Sequence, residues 1–217
     1  MLRVVPYLLA FTFIFLSPSI HAQELNKTSN DRLWEISVTA GPEMIKLKKM
    51  YQLDDISGYG FQNTLSYSGG VVISRRVLPR LMAGGGVNIS KKILQVLYVN
   101  KVWDSGLNMP FTYQTGYLDL QLLLTYLVPF RRFDIFITGG LVSGFRFNDI
   151  RYQNVGPIAY NRYLVSAIYG IGLNYYLTDR SKLTARLGHG YYFNEILTGY
   201  EHSAQSKHLQ IGFKYAL

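Results

Sequence analysis

The chain has 217 residues, a formal net charge of +9 and no cysteine. The absence of cysteine excludes a disulfide framework, a thiolate metal site and a lipid anchor attached through a thiol. Aromatic residues make up 15% of the chain and charged residues only 16%, with 18 tyrosines and 20 glycines. This balance favours strands closed on themselves and aromatic rings at an interface.

The first 22 residues have the three-part layout of a secretory signal peptide. Arg3 precedes an apolar run from Val4 to Leu16, and short or polar residues follow up to Ala22. About thirteen apolar residues are short for a membrane-spanning helix, which needs roughly twenty, although an N-terminal anchor is the alternative. We expect a signal peptide over 1–22, cleaved after Ala22 or, alternatively, after Ser19. Residues 23–32 would then form a periplasmic lead-in and residues 33–217 the folded domain.

From Leu33 onward, apolar and polar residues alternate with period two, the pattern of strands with one apolar and one polar face. The first strand is predicted to end at Pro42, because proline cannot donate a hydrogen bond to a ladder. Residues 43–60 are expected to form the first long loop. The second strand, a tight turn and the third strand are predicted over residues 62–75, 76–80 and 81–92.

The clearest alternation lies between residues 115 and 147. Leucines at 118, 120, 122 and 124 share one face of the fourth strand, and Asp119 and Gln121 lie on the other. After a break at 128–132 the alternation resumes in the fifth strand, with Asp134 on its polar face. The remaining strands are predicted around residues 163–175 and 182–191 and up to Leu217.

Eight strands joined by three short and four long connections predict an all-β fold: an eight-stranded antiparallel up-and-down transmembrane β-barrel, preceded by the cleaved signal peptide. Strands of about ten to fifteen residues, tilted by about 45°, are long enough to cross the hydrocarbon and protrude on the loop side. The even strand number places both ends of the folded domain at the short-turn rim, which faces the periplasm.

The sequence resembles the small eight-stranded outer-membrane β-barrels of Gram-negative bacteria, a group with porin-like and PorT-like members. The resemblance is carried by residues 117–124, the Gly139-Gly140 pair, residues 170–173 with the tyrosines that follow, and the aromatic last strand at 213–217. Proline often stands in that family where this chain has Gln121, and Leu217 replaces the usual terminal phenylalanine.

The resemblance implies the outer membrane of a Gram-negative bacterium as the location. It also implies contact with outer-membrane lipid and lipopolysaccharide, and insertion by the barrel-assembly machinery, which recognises an aromatic-rich last strand. A secreted chain rarely meets nucleic acid, and lysines and arginines are scattered through turns and loops. We therefore expect lipid phosphates, not nucleic acid, as the counter-charge.

Five charged side chains fall on the inward face of their strands: Glu35, Asp119, Asp134, Arg186 and Lys214. Closure makes the first and last strands neighbours, so Glu35 and Lys214 are expected to pair. The lumen of an eight-stranded barrel is just wide enough to be filled by side chains. We expect these residues to form an interior polar network that plugs the lumen; a narrow passive porin-like channel is the alternative.

A second candidate site lies in the predicted outer loops. Aromatic and basic residues there offer a binding surface, unless they only pack on one another: Tyr98, Lys101, Trp103, Arg151 and Tyr152. Such a surface favours a structural or interaction role, as a scaffold or binding module with an envelope protein partner in an envelope or secretion complex.

An outer-membrane lipid-modifying enzyme is the third reading. Eight-stranded lipid A deacylases place a serine two residues after a histidine at the outer rim, with an acid nearby. Here Tyr191 stands two residues after His189, although Glu195 follows, and parity turns His189 towards lipid. The spacing of His202, His208 and Glu201 does not define a metal site. We expect no enzymatic activity, no metal and no cofactor.

Overall fold

The computed structural model describes residues 34–47, 51–52, 57–62, 64–100, 109–151, 159–198 and 203–217. The expected signal peptide and lead-in lie outside these residues and stay predictions. Eight long strands account for most of the described chain: β1 Trp34–Leu47, β2 Thr64–Leu78, β3 Leu81–Asn100, β4 Met109–Pro129, β5 Phe133–Arg151, β6 Tyr163–Tyr176, β7 Ser181–Tyr192 and β8 Ala204–Ala216. Within the described ranges, no helix is long and apolar enough to cross a membrane.

The eight strands form one closed barrel. Each pairs antiparallel with the strand before it and the strand after it in the chain. β8 pairs with β1, from Glu35 opposite Ala216 to Leu47 opposite Ala204, which closes the sheet. The predicted eight-stranded up-and-down barrel is confirmed. Closure lets the ladder hydrogen-bond on both sides of every strand, as a spanning sheet in lipid requires.

The two faces of the barrel differ sharply in polarity. Leu122 on β4 is 69% exposed, whereas Asp119 and Gln121 are 5% and 8% exposed. The same alternation runs along the other strands and leaves a continuous apolar exterior. Exposed aromatic rings lie towards both ends of this surface: Trp34, Phe130, Tyr175 and Tyr215 near the short turns, and Tyr67, Phe145, Tyr163, Tyr191 and Phe193 near the loops. An apolar band between aromatic girdles is the exterior of a barrel that spans a membrane.

β1 does not end at Pro42, so the prediction of a loop from residue 43 is wrong. The ladder to β2 runs unbroken through Pro42, which lies opposite Tyr67. The ladder to β8 skips residues 41 and 42 and resumes in the same register at Glu43, opposite His208. Proline removes one donor, but the ladder on its other side holds the strand. Glu43 therefore belongs to β1 and is buried.

Other strands also extend past their predicted bounds. β3 continues to Asn100 instead of ending at residue 92, and its outer half pairs with the strand Ser57–Gln62 and with β4. Ser57–Gln62 in turn pairs with Tyr51–Gln52. Beyond the hydrocarbon both faces of a strand meet water, so apolar and polar residues no longer need to alternate. The backbones of neighbouring strands still pair there. The turns after β2 and β4 are correspondingly shorter than predicted and occupy residues 79–80 and 130–132.

The close contact between β1 and β8 beside Pro42 yields a test. A methyl group at Gly41 would overlap the carbonyl oxygen of Leu209, whereas at Gly139 its nearest neighbour would be the Ile168 carbonyl oxygen, 3.9 Å away. We expect Gly41→Ala to lower the free energy of unfolding by about 1–3 kcal/mol, because the backbones must separate. Gly139→Ala should change it by less than about 0.5 kcal/mol. Equal urea midpoints for the two variants would contradict the close approach.

Candidate functional site

The interior of the barrel is the candidate site. Nearest the short turns lies the turn-side cluster, formed by Glu35, Asp134, Tyr176, Lys182 and Lys214. Lys182 donates to Glu35 Oε2 at 2.9 Å, and its Nζ lies 3.9 Å from Asp134 Oδ2. Lys214 Nζ lies 3.7 Å from Glu35 Oε1. The Tyr176 hydroxyl donates to Asp134 Oδ2 at 2.7 Å. Two lysines thus face two carboxylates across the lumen.

Strand register explains this arrangement. Lys182 on β7 lies directly opposite Lys214 on β8 and Tyr176 on β6. Two lysines on neighbouring strands repel each other, and Glu35 offsets this repulsion by contacting both. Three residues predicted to face inward, Glu35, Asp134 and Lys214, meet in this cluster. Lys182 shares their parity but is missing from the predicted network.

An apolar patch completes the turn-side level. Met82, Leu127 and Phe136 are buried together on the opposite wall, formed by β3, β4 and β5. The Lys214 Nζ lies 4.5 Å from the centroid of the Phe136 ring, close enough for a cation–π interaction. Aromatic and apolar side chains thus fill the part of this level that the ion pairs leave.

Towards the loops lies the loop-side cluster, formed by Glu43, Lys92 and Tyr192. Lys92 Nζ donates to Glu43 Oε2 at 3.3 Å and to the Tyr192 hydroxyl oxygen at 2.9 Å. The Tyr192 hydroxyl donates to Glu43 Oε1 at 3.0 Å. All three side chains are buried, so a closed triangle of charge-assisted hydrogen bonds crosses the lumen.

Sequence reasoning missed the loop-side cluster. Glu43 lies in the segment predicted to be a loop, and Lys92 is predicted only as the last residue of the third strand. The alternation along the strands does identify these residues. Glu43 has the same parity as Glu35 on β1, and Lys92 has the same parity as Asn88 on β3, so all four side chains face inward. Because the first strand is predicted to end at Pro42, this alternation is not extended to Glu43.

An apolar outer cap covers the loop end of the lumen. The short ribbon of Ala159–Tyr160 and Leu197–Thr198 lies there. The Tyr160 hydroxyl donates to the Tyr113 carbonyl oxygen at 3.1 Å, and the Tyr117 hydroxyl donates to the Asn161 carbonyl oxygen at 2.6 Å. The buried members of the cap, Tyr192 apart, are Ile45, Leu94, Tyr113, Tyr117, Tyr160, Leu164, Ile196, Leu197 and Ala204.

Between the two clusters is a cavity of about 40 Å³, lined by both remaining predicted residues, Asp119 and Arg186. A water molecule needs roughly 10–15 Å³ of such space, so the cavity holds about three. Arg186 donates to the side-chain oxygen of Gln210. The structure therefore joins neither Asp119 nor Arg186 to the turn-side cluster.

The residues of the predicted loop surface lie largely outside the described part of the chain. The backbones of Tyr98 and Arg151 lie in β3 and β5, but their side chains, and all of Lys101, Trp103 and Tyr152, lie outside what the structure describes. That surface stays a prediction.

His189 stacks on Tyr169 at 5.2 Å between ring centroids, on the outward face of β7. No group of three or more acidic or histidine side chains in the described ranges is placed to hold a metal ion.

No family model matches the sequence, and neither does a curated protein. Solved structures share the fold. Neisserial surface protein A aligns with a TM-score of 0.54 at 12% identity, covering 85% of this chain and 97% of that one. The outer membrane protein OprG of Pseudomonas aeruginosa gives 0.53 at 12%, covering 86% and 97%. The outer membrane protease OmpT of Escherichia coli gives 0.50 at 13%, covering 85% and 97%.

The chain therefore has the fold of the small outer-membrane β-barrels. Combined with the apolar, aromatic-girdled exterior, this fold places the protein in the outer membrane of a Gram-negative cell, in contact with its lipid. A shared fold leaves the specific role open, since OmpT is a protease, whereas OprG is named only as an outer membrane protein and Neisserial surface protein A only as a surface protein. The narrower resemblance to PorT-like proteins stays a prediction.

The turn-side cluster predicts a large effect of losing one cation. Lys182→Met leaves Asp134 without its lysine contact and Glu35 with only Lys214, so we expect it to destabilise the barrel by about 3–5 kcal/mol. Lys91→Met, on the exposed outward face of β3, is the matched control and should cost less than about 0.5 kcal/mol. Urea unfolding in detergent micelles measures both. Equal midpoints would show that the cluster contributes nothing to stability.

Proposed function

We propose that the protein is a closed barrel with an interaction role, engaging a partner at one of its rims and passing no solute through its lumen. The observation that carries this proposal is the filling of the lumen at three successive levels, by the turn-side cluster, the loop-side cluster and the outer cap. An ion crossing the barrel would have to break two buried hydrogen-bonded ionic clusters, each costly to disrupt. The rims are then the surfaces left for function.

The short-turn rim has the more distinctive chemistry. Its three turns carry Arg80, Arg131, Arg132 and Arg180 against a single acid, Asp179, and the last three arginines are exposed. No ion pair in the described ranges involves the side chains of Arg131, Arg132 or Arg180. Turns this short fix the backbone positions of these arginines, and an arginine guanidinium group can make bidentate contacts with a carboxylate. These features support an acidic periplasmic partner, such as a component of an envelope complex.

A narrow passive channel is the second candidate, favoured by the polar cavity beside Asp119 and Arg186. An enzymatic role has less support, because His189 lies on the outward face of the barrel and stacks on Tyr169. We propose no catalytic activity for this chain.

Planar-bilayer recording separates the closed barrel from the channel. We expect the wild-type protein to give no current steps above those of the bare membrane, because the lumen is blocked at three levels. Stable steps that change size in Asp119→Asn or Arg186→Gln, but not in the outward-facing control Lys91→Gln, would favour the channel and contradict the closed barrel.

Co-purification from mild-detergent outer membranes tests the rim. A variant with Arg131, Arg132 and Arg180 all changed to glutamine should lose the partner about tenfold, because the charge-assisted contacts disappear. The matched control changes Lys46, Lys91 and Lys207, three exposed lysines near the loop rim, to glutamine and should retain it.

Mass spectrometry of the co-purified material, repeated at two salt concentrations, gives the readout. A stoichiometric protein that is lost from the arginine variant and from the high-salt sample supports an acidic partner. Equal recovery with both variants would rule out the short-turn rim as its binding surface.

A further inference from the structure

Arg186 is an unusual charge within the barrel. It projects from β7 between Gly172 of β6 and Gln210 of β8. A guanidinium group has five N–H donors, yet within the described residues this one makes a single hydrogen bond, to the neutral side-chain oxygen of Gln210. No carboxylate among the described residues lies within ion-pair distance of it.

The lumen lysines behave differently. Lys92 contacts Glu43, while Lys182 and Lys214 both contact Glu35. Arg186 has no such partner among the described residues, and its side chain is half-buried beside the lumen cavity. A partly buried cation without a counter-charge is unfavourable. A mobile counter-ion would remove that penalty.

The space beside Arg186 suits a small anion. The cavity of about 40 Å³ is lined by Ser68, His208 and Gln210 as well as Arg186. The Gln210 amide nitrogen donates to Ser68 Oγ at 3.4 Å, which leaves the hydroxyl proton of Ser68 free to point into the cavity. The volume accommodates a monatomic ion and one or two waters. A tetrahedral oxyanion has five heavy atoms and would not leave room for any water.

Two carboxylates also line the cavity, but neither lies within ion-pair distance of Arg186. Glu43 is held by Lys92 and Tyr192 in the loop-side cluster. Asp119 lies on β4, opposite Asn88 of β3 and Gly144 of β5, a different part of the wall. The cavity thus has an acidic side and a basic side, and an anion would occupy the basic side.

We propose that Arg186, with Ser68 and Gln210, binds a small monovalent anion in the lumen, with chloride as the physiological occupant. This inference is independent of the proposed role at the rims. The bound anion would neutralise Arg186, which forms no ion pair with a carboxylate of the described residues.

Anion-dependent stability tests the site. The full chain in detergent is unfolded with urea in sodium chloride or in sodium gluconate of equal ionic strength, since gluconate is too large for the cavity. A ligand that binds only the folded state at ten times its Kd lowers the unfolding equilibrium constant about tenfold. We expect a chloride-dependent gain of this kind in the wild type and in Arg162→Gln, a control at an exposed arginine, and its loss in Arg186→Gln. Equal stability in both salts, or a gain retained in Arg186→Gln, would overturn the proposal.

Bromide provides a direct readout on the wild type, should Arg186→Gln fail to fold. Crystals grown in sodium bromide are expected to show an anomalous peak beside the Arg186 guanidinium and the Ser68 hydroxyl. Peaks confined to exposed arginines, or no peak in the lumen, would show that water alone occupies the cavity.

Discussion

A backbone N–H or carbonyl group without a partner in the hydrocarbon of a bilayer costs several kcal/mol, and this constraint governs the whole molecule. Pairing of β8 with β1 meets it by leaving no barrel strand at a lipid-facing edge. Closure in turn commits every second side chain to lipid and every other one to a narrow lumen. Charges on the inward parity are thereby forced together, and the structure has to neutralise them there.

The alternation could be predicted from sequence because lipid enforces it. A polar residue in the place of Leu120 or Leu122 would face hydrocarbon, so the period-two pattern of β4 is unambiguous. The pairing of Glu35 with Lys214 could also be anticipated, since it needs only the fact of closure. The role of Lys182 could not, because it depends on how far the strands are staggered around the barrel, and the stagger follows from pairings that no single strand encodes.

Most features that the sequence does not predict lie beyond the hydrocarbon, where lipid no longer requires an apolar residue at every second position. Beyond the outer girdle, β3, β4 and β5 continue as paired strands while their alternation fades, so the sequence suggested loops. Pro42 misled in another way. Proline is incompatible with a ladder on its N–H side only, and the unbroken pairing of β1 with β2 carries the strand past it. Because proline disrupts a ladder on one side only, β1 can continue past Pro42. That continuation places Glu43 in the lumen, where it is the partner of Lys92.

The two ionic clusters differ from the groups that usually define a site. Their donors and acceptors hydrogen-bond to one another across the lumen, so they stabilise the closed barrel. Few of these groups remain available to bind a solute. Arg186 is the exception in the interior, because it lines a small cavity and its one hydrogen bond within the described residues is to a neutral amide oxygen. Arg131, Arg132 and Arg180 in the short turns are a comparable exception on the outside, being exposed and without ion pairs in the described ranges. The fold is shared by proteins of unlike activity and does not specify a role, so both proposals rest on these cations.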